Sequence, residues 1–120
     1  MSDEFIKVAT KEINDEIASI NTILKYCSSD TDVIQNSKAI EAHIHKIKGL
    51  APMMGKPNIG KIATLNDSLL NHVIDGANIE GIFSILSESI IFMKNSMNNS
   101  NQNMSKIKQK IETKYSKYLD

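Results

Sequence analysis

The stretch HIHKIKGLAPMMG, residues 43–55, lies where one helix is predicted to end and the next to begin. The helix that contains it carries apolar residues at spacings of three and four, which form one buried face: Ile40, Ile44, Ile47, Ala51 and Met54. Gly55 suits a left-handed C-terminal turn, and Pro57 has the fixed φ of a first helical turn. The stretch therefore predicts two helices joined by a very short connection.

The sequence before this stretch predicts one long helix followed by a break. Spacings of three and four continue over about six turns, through Ile6, Ala9, Ile13, Ile17, Ile20, Leu24 and Cys27. Residues 28–32, SSDTD, then interrupt the pattern and offer Asp30 or Thr31 as the N-cap of a second helix. We expect that second helix to continue to Gly55.

The sequence after this stretch predicts three more helices. The third begins at Pro57 and stops at Asp75 and Gly76, and Asn78 caps the fourth. The polar run NNSNQN, which begins at residue 98, then reads as a linker. A last helix follows, with an apolar side formed by Met104, Ile107, Ile111, Tyr115 and Tyr118. Its lysines are interpreted as a solvated face rather than a docking surface.

This pattern favours an all-α fold. No segment alternates with period two, and each long helix has one apolar face and a short connection to the next. Such helices predict an up-down antiparallel four-helix bundle, here with an additional C-terminal helix. We assign residues 1–98 to the bundle, 99–103 to a polar linker and 104–120 to a C-terminal amphipathic helix.

Length and composition narrow the function classes. A chain of 120 residues is expected to form one domain, and fourteen lysines balance fourteen acidic residues without any arginine. Nucleic acid is therefore not expected as a partner. No apolar run reaches the length of a membrane span and no signal peptide is evident. The single cysteine, Cys27, fits a reducing compartment and lies on an apolar stripe. These features predict a soluble, cytoplasmic protein without membrane insertion.

The two neighbouring histidines are predicted to have different environments. His43 and His45 are about 200° apart around a helix axis, so they cannot share a metal ion. His72 is distant in sequence and no acidic cluster completes a ligand set, so no metal site is expected. His45 shares a row with Lys38, Glu41 and Lys48 and is predicted to be an exposed imidazole, whereas His43 is predicted to be partly buried and structural.

Gly49 and Pro52 break the local rules of a helix interior. Glycine costs about 0.5 to 1 kcal/mol there relative to alanine, and proline removes the backbone hydrogen bond to the carbonyl of Lys48. Gly49 lies four residues after His45, so it leaves the approach to that imidazole clear for a partner. Chance, or close clearance to another helix, are the alternatives that the residues leave open.

These residues resemble a known family. The pattern His45, Lys48, Gly49, then Ala51 and Gly55, is similar to the H-x-x-K-G-x-[small]-x-x-x-G signature of histidine phosphotransfer (HPt) domains. KIKGLAPMMG, residues 46–55, looks most like the N-terminal phosphotransfer domain of CheA-type chemotaxis kinases. The likeness extends over residues from about 5 to 97, since those domains are up-down helical bundles with the phosphorylated histidine on the second long helix.

The resemblance implies a phosphoryl carrier. His45 would accept a phosphoryl group from ATP bound to a histidine kinase catalytic domain and pass it to the aspartate of a response-regulator receiver domain. Lys48 would offset phosphoryl charge and Gly49 would give the partner clearance. The chain has no glycine-rich phosphate loop, so ATP and Mg²⁺ belong to the partner domains and the chain itself binds no cofactor. We expect a monomer, either free-standing or the phosphoacceptor domain of a kinase.

Two positions depart from the chemotaxis pattern. Those domains usually present a histidine and a glutamate nineteen and twenty-two residues after the phosphorylated histidine, where this chain has Thr64 and Asp67. Asp67 is predicted to orient the imidazole of His45, although it also belongs to a row with Gly60, Thr64 and Asn71 that reads equally well as a polar stripe. The alternative function is a non-catalytic helical adaptor in which His45 is incidental.

Overall fold

Six α-helices and one 3₁₀ turn make up the residues that the computed structural model describes, 2–99 and 102–119. No β-strand occurs in those two ranges, so the predicted all-α class is confirmed. The helices are α1 (Asp3–Lys25), α2 (Asp30–Gln35), α3 (Ser37–Met53), α4 (Pro57–Ile74), α5 (Ile82–Asn98) and α6 (Ser105–Lys114), and the 3₁₀ turn is Ser116–Tyr118.

One hydrophobic core lies between the four long helices. α1 packs against α3 and α5, and α4 packs against the same two helices. The apolar stripes predicted from the sequence supply the core, and its largest fully buried side chains are Ile13, Ile20, Ile40, Ile44, Ile47, Ile59, Ile62, Leu69, Leu70, Ile79, Ile82 and Leu86. Cys27 is buried, as predicted. In the part of the chain that the structure describes, no helix is long and apolar enough to cross a membrane.

The predicted second helix is in fact two helices. The chain leaves helical geometry at Asn36, which ends α2 and precedes α3. The amide of the Asn36 side chain donates to the carbonyl of Asp32 at 2.8 Å. A side-chain hydrogen bond of this kind competes with the helix backbone, which is a physical reason for the break. The N-cap is Ser29, whose hydroxyl accepts the Asp32 N–H at 3.3 Å, rather than Asp30 or Thr31.

Asp30 caps a different helix. Its two carboxylate oxygens accept the N–H groups of Gly81 and Phe83, each at 2.9 Å, where α5 begins. These N–H groups have no partner within their own helix, so an acceptor from elsewhere satisfies them. The prediction that Asn78 caps this helix was therefore wrong, because Gly81, with a φ of 87°, is the residue at the cap.

The turn between α3 and α4 has the geometry that the sequence predicts. Gly55 adopts a φ of 80°, and the N–H of Lys56 donates to the carbonyl of Ala51 at 2.9 Å. Together with the bond from Gly55 N–H to the Pro52 carbonyl, at 3.2 Å, this is a Schellman motif. Pro57 then opens α4. With so short a connection, α3 and α4 pack against each other more extensively than any other pair of helices.

The C-terminal region differs from its prediction. The predicted last helix extends to Tyr118, whereas α6 ends at Lys114 and a 3₁₀ turn follows. Tyr115 directs its hydroxyl to the carbonyl of Glu80 at 2.8 Å, and the ring of Tyr118 packs edge-on against His72. These contacts hold the C-terminal segment against the rest of the domain. Of the predicted linker 99–103, residues 100 and 101 lie outside the described residues, as do the chain ends at 1 and 120.

Gly60 is required for the contact between α3 and α4. A Cβ added at Gly60 would lie 2.8 Å from Cγ and 3.0 Å from Cδ of Pro52, whose ring is rigid. We expect Gly60→Ala to lower the free energy of unfolding by about 1 to 2 kcal/mol, because overpacking outweighs the gain in helix propensity. Urea denaturation measures the change.

Gly49→Ala is the matched control, because a Cβ there meets nothing within 4 Å. The same substitution should raise the free energy of unfolding by about 0.5 to 1 kcal/mol. Two changes of the same sign would contradict the packing assigned to Gly60.

Candidate functional site

The two histidines of α3 lie in the environments that the sequence predicts. The side chain of His45 is 67% exposed. His43 is 27% exposed and its Nδ1 lies 3.0 Å from Oε1 of Glu16, a buried residue of α1. His43 therefore ties α3 to α1, and His45 presents its imidazole on another side of the same helix.

Asp67 of α4 is brought to His45 across the contact between α3 and α4. Its Oδ2 atom lies 3.8 Å from Nδ1 of His45 and accepts a hydrogen bond from Nζ of Lys48 at 3.1 Å. Asp67 is only 3% exposed, so it is not part of a solvated polar stripe. The structure thus places His45, Lys48 and Asp67 together. The distance from Asp67 to His45 exceeds that of a hydrogen bond, so a small rotation of the imidazole is needed to form one.

Thr64 does not join this group. Its hydroxyl donates to the carbonyl of Gly60, one turn earlier in α4, at 2.8 Å. The position at which chemotaxis domains present a histidine is therefore occupied here by an exposed side chain bonded to its own helix.

Glu41 is a member of the site that sequence reasoning missed. Its Oε2 atom lies 3.7 Å from Nδ1 of His45, and its side chain is 21% exposed. The sequence placed Glu41 in a water-facing row with His45, which concealed its contact with α4. The available signal was its position four residues before His45, since residues at that spacing are neighbours on a helix.

The two carboxyl groups beside His45 influence each other's protonation. A hydrogen bond to Asp67, burial and the charge of Asp67 raise the pKa of Glu41 from 4.5 to about 7, against the opposing charges of His45 and Lys48. Burial favours a raised pKa for Asp67, but hydrogen bonds from Glu41 and Lys48 outweigh it and lower that pKa below its ordinary value. Near neutral pH the pair therefore holds its proton on Glu41.

Glu41, His45 and Asp67 also bring three ligand atoms within 4.8 Å of one another, a spacing that one metal ion can bridge. The sequence argument that no acidic cluster accompanies a histidine therefore does not hold, because Asp67 reaches His45 only through the fold. The ammonium group of Lys48 already lies 3.1 Å from Asp67 Oδ2 and repels a second cation. The absence of a metal site stays a prediction.

Gly49 leaves open space beside the site. It is exposed, and a Cβ at this position meets no atom within 4 Å, which excludes close clearance to another helix as its reason. A polar cleft of about 230 Å³ opens on the Asp67 side, lined by Lys48, Thr64, Asp67, Ser68, Asn71 and His72. The surface next to His45 is therefore free of bulky side chains at Gly49 and polar towards α4.

No family model matches the chain, and searches of curated proteins and of solved structures found no match. The likeness to phosphotransfer domains accordingly rests on the motif in the sequence. Any function has to be argued from the chemistry of the group around His45.

The raised pKa of Glu41 predicts a dependence of stability on pH. The folded state favours the protonated acid, so the stability that Glu41 contributes is complete below pH 4.5 and is lost as the pH rises through about 7. Glu41→Gln keeps a neutral side chain at every pH. Its melting temperature should match that of the wild type at about pH 5 and exceed it at about pH 8.

Glu12→Gln is a suitable control, because Glu12 is an exposed residue of α1. It should show no such divergence. If the wild type and Glu41→Gln keep a constant difference in melting temperature across the range, Glu41 does not titrate near neutrality.

Proposed function

We propose that the chain is a histidine phosphotransfer domain that carries a phosphoryl group on His45. The observation that supports this most is an exposed imidazole whose Nδ1 faces a buried carboxylate, with a lysine bound to that carboxylate. The function extends to a kinase catalytic domain as donor and a receiver aspartate as acceptor. It remains a proposal of this motif and this geometry, since the comparisons supply no relative.

Phosphoryl uptake requires a neutral imidazole with its proton on Nδ1. The Nε2 lone pair then attacks the γ-phosphorus of ATP, a bond from nitrogen to phosphorus forms, and the bond from phosphorus to the leaving ADP oxygen breaks. Glu41 and Asp67 approach Nδ1 at 3.7 and 3.8 Å, so both favour the proton at that nitrogen. Nε2 lies on the opposite edge of the ring, away from the carboxylates.

Transfer to the receiver reverses these bond changes. A carboxylate oxygen of the receiver attacks phosphorus, the bond to Nε2 breaks, and the imidazole recovers its lone pair. Lys48 is 40% exposed and can follow the phosphoryl group, which it compensates as a point charge. ATP and Mg²⁺ come from the kinase, so the chain acts as a carrier rather than a complete enzyme.

The proposal includes an up-down antiparallel four-helix bundle formed by α1, α3, α4 and α5, with α6 appended. The supporting observation is a closed ring of packed pairs, in which α1 contacts α3, α3 contacts α4, α4 contacts α5 and α5 contacts α1. Such a ring places α3 with one side free for partners. We propose further that the domain acts as a monomer in the cytoplasm.

His45→Gln tests the function directly. A panel of histidine kinase cores with ATP should phosphorylate the wild type, giving a phosphoryl group that is labile to acid and stable to base. Replacement of the exposed His45 should abolish uptake and leave the melting temperature nearly unchanged, because surface substitutions away from special contacts have small effects on stability.

His43→Gln is the matched control, two residues away on the same helix. It should retain uptake but lower the free energy of unfolding by about 1 to 3 kcal/mol, since it perturbs the buried partner of Glu16. Full phosphorylation of His45→Gln, or none of the wild type with any kinase, would instead favour the helical adaptor.

Gly49 supplies a second test of the same function. Gly49→Gln fits the open space and should be at least as stable as the wild type, because glutamine has a higher helix propensity than glycine. Its side chain extends over the approach to His45, so transfer to the cognate receiver should fall by about tenfold, equivalent to a loss of about 1.4 kcal/mol.

Gly49→Ala separates the side chain from the backbone effect. It gains the same helix propensity with a single methyl group and should keep near-normal transfer. Normal transfer by a stable Gly49→Gln protein would show that Gly49 does not mark the docking surface.

A further inference from the structure

The carboxyl groups of Glu41 and Asp67 face one position, the Nδ1 atom of His45. One comes from the same helix as the histidine and the other from α4, at 3.7 and 3.8 Å. The three groups present atoms within 4.8 Å of one another. Two carboxylates this close disfavour double ionisation, so the pair retains one proton to a higher pH than an isolated carboxyl group does.

The retained proton belongs on Glu41. Asp67 accepts the Lys48 ammonium at 3.1 Å and its side chain is 5% exposed, an arrangement that requires the ionised form. The Oδ1 atom of Asp67 is buried and receives no hydrogen bond from the ionised protein, so a proton on Glu41 adds a donor for this carboxylate. The Glu41 side chain is the more exposed of the two and exchanges its proton with water more readily.

We propose that Glu41 is a positioning residue that makes phosphoryl chemistry at His45 depend on pH, by holding or releasing the proton that it shares with Asp67. This inference rests on the proposed phosphocarrier function. When Glu41 is protonated, its hydroxyl donates to Asp67 and offers His45 little acceptor capacity. When Glu41 is ionised, its Oε2 atom is a free acceptor for the Nδ1 proton of His45.

The proton matters because phosphorylation changes the charge of the imidazole. As Nε2 forms its bond to phosphorus, and the donor's bond to phosphorus breaks, the ring gains positive charge that Nδ1–H shares. An ionised Glu41 beside Nδ1 stabilises that charge or accepts the proton, which leaves a neutral phosphorylated ring. In onward transfer the proton returns to Nδ1, so that the ring leaves phosphorus as a neutral imidazole.

The charges around Glu41 are consistent with a proton as the shared cation. On α3 it is faced by His45 and Lys48, and Lys38 lies one turn earlier on the same helix. On α4 it is faced by Asp67, with His72 lining the cleft beyond. The Lys48 ammonium already balances Asp67, so releasing the proton leaves one uncompensated negative charge next to Nδ1. That charge lies closer to Nδ1 than to a phosphoryl group on Nε2.

Histidine NMR tests the proton without requiring any phosphoryl transfer. The ¹⁵N signals of the His45 ring, followed between about pH 5 and pH 9, should show its own titration and a second inflection near pH 7 as Glu41 ionises. Glu41→Gln should remove the second inflection, because the glutamine amide donates to Asp67 at every pH. Asp67→Asn should move it to lower pH by removing the neighbouring charge. His43 and His72 provide internal references in the same spectra.

Phosphoryl uptake tests the link to chemistry. The initial rate with phosphoramidate, a small phosphoryl donor, is measured for the wild type and Glu41→Gln at each pH. Comparing the two proteins as a ratio reduces the influence of His45's own titration. The ratio of wild type to variant should be near one at about pH 6 and rise about three- to tenfold by about pH 8.

The outcomes distinguish this inference from the function on which it rests. A second inflection that persists in Glu41→Gln, or a flat ratio of rates with normal uptake, overturns the role of Glu41 and leaves the carrier function intact. No uptake by the wild type from phosphoramidate or any kinase overturns both. Saturable shifts of the His45 signals by micromolar Zn²⁺ at neutral pH would show that a metal ion, rather than a proton, is held between the carboxylates.

Discussion

The buried carboxylate of Asp67 is the constraint on which the site depends. An ionised group with so little exposure is costly unless it is paired, and its partner is Lys48 on the neighbouring helix. This pair requires α3 and α4 to approach closely and in one register. Gly60 permits the approach, because it leaves room for the ring of Pro52. The proline that looks anomalous in a helix is therefore part of the same helix contact.

Local features of the chain were predictable from the sequence, and long-range contacts were not. The apolar stripes, the left-handed turn at Gly55 and the exposure of His45 follow from spacings of a few residues, and the structure agrees with them. The cap of α5 comes from Asp30, fifty-one residues before Gly81, and no local pattern reveals it. Tyr115 ends α6 for a similar reason, since its hydroxyl bonds to Glu80 of a different segment.

Within the site, the same division separates what was found from what was missed. His45, Lys48 and Gly49 lie on one helix, so their relation follows from helical geometry. Glu41 shares that helix, but its chemical character comes from Asp67 on α4, which changes an apparently solvated acid into one that retains its proton. Sequence reasoning anticipated that Asp67 would face His45, and it could not anticipate that Asp67 would be buried.

The histidine and lysine of this site have a counterpart two residues earlier in the same helix. His43 and Lys46 lie at 3.0 and 3.8 Å from a buried glutamate of α1, as His45 and Lys48 lie near Asp67. The polar groups alone are thus nearly degenerate, and each set suits either side of the helix. Two residues correspond to about 200° of rotation, which would turn the isoleucine stripe towards water. Burial of that stripe therefore decides which histidine anchors the helix and which faces solvent.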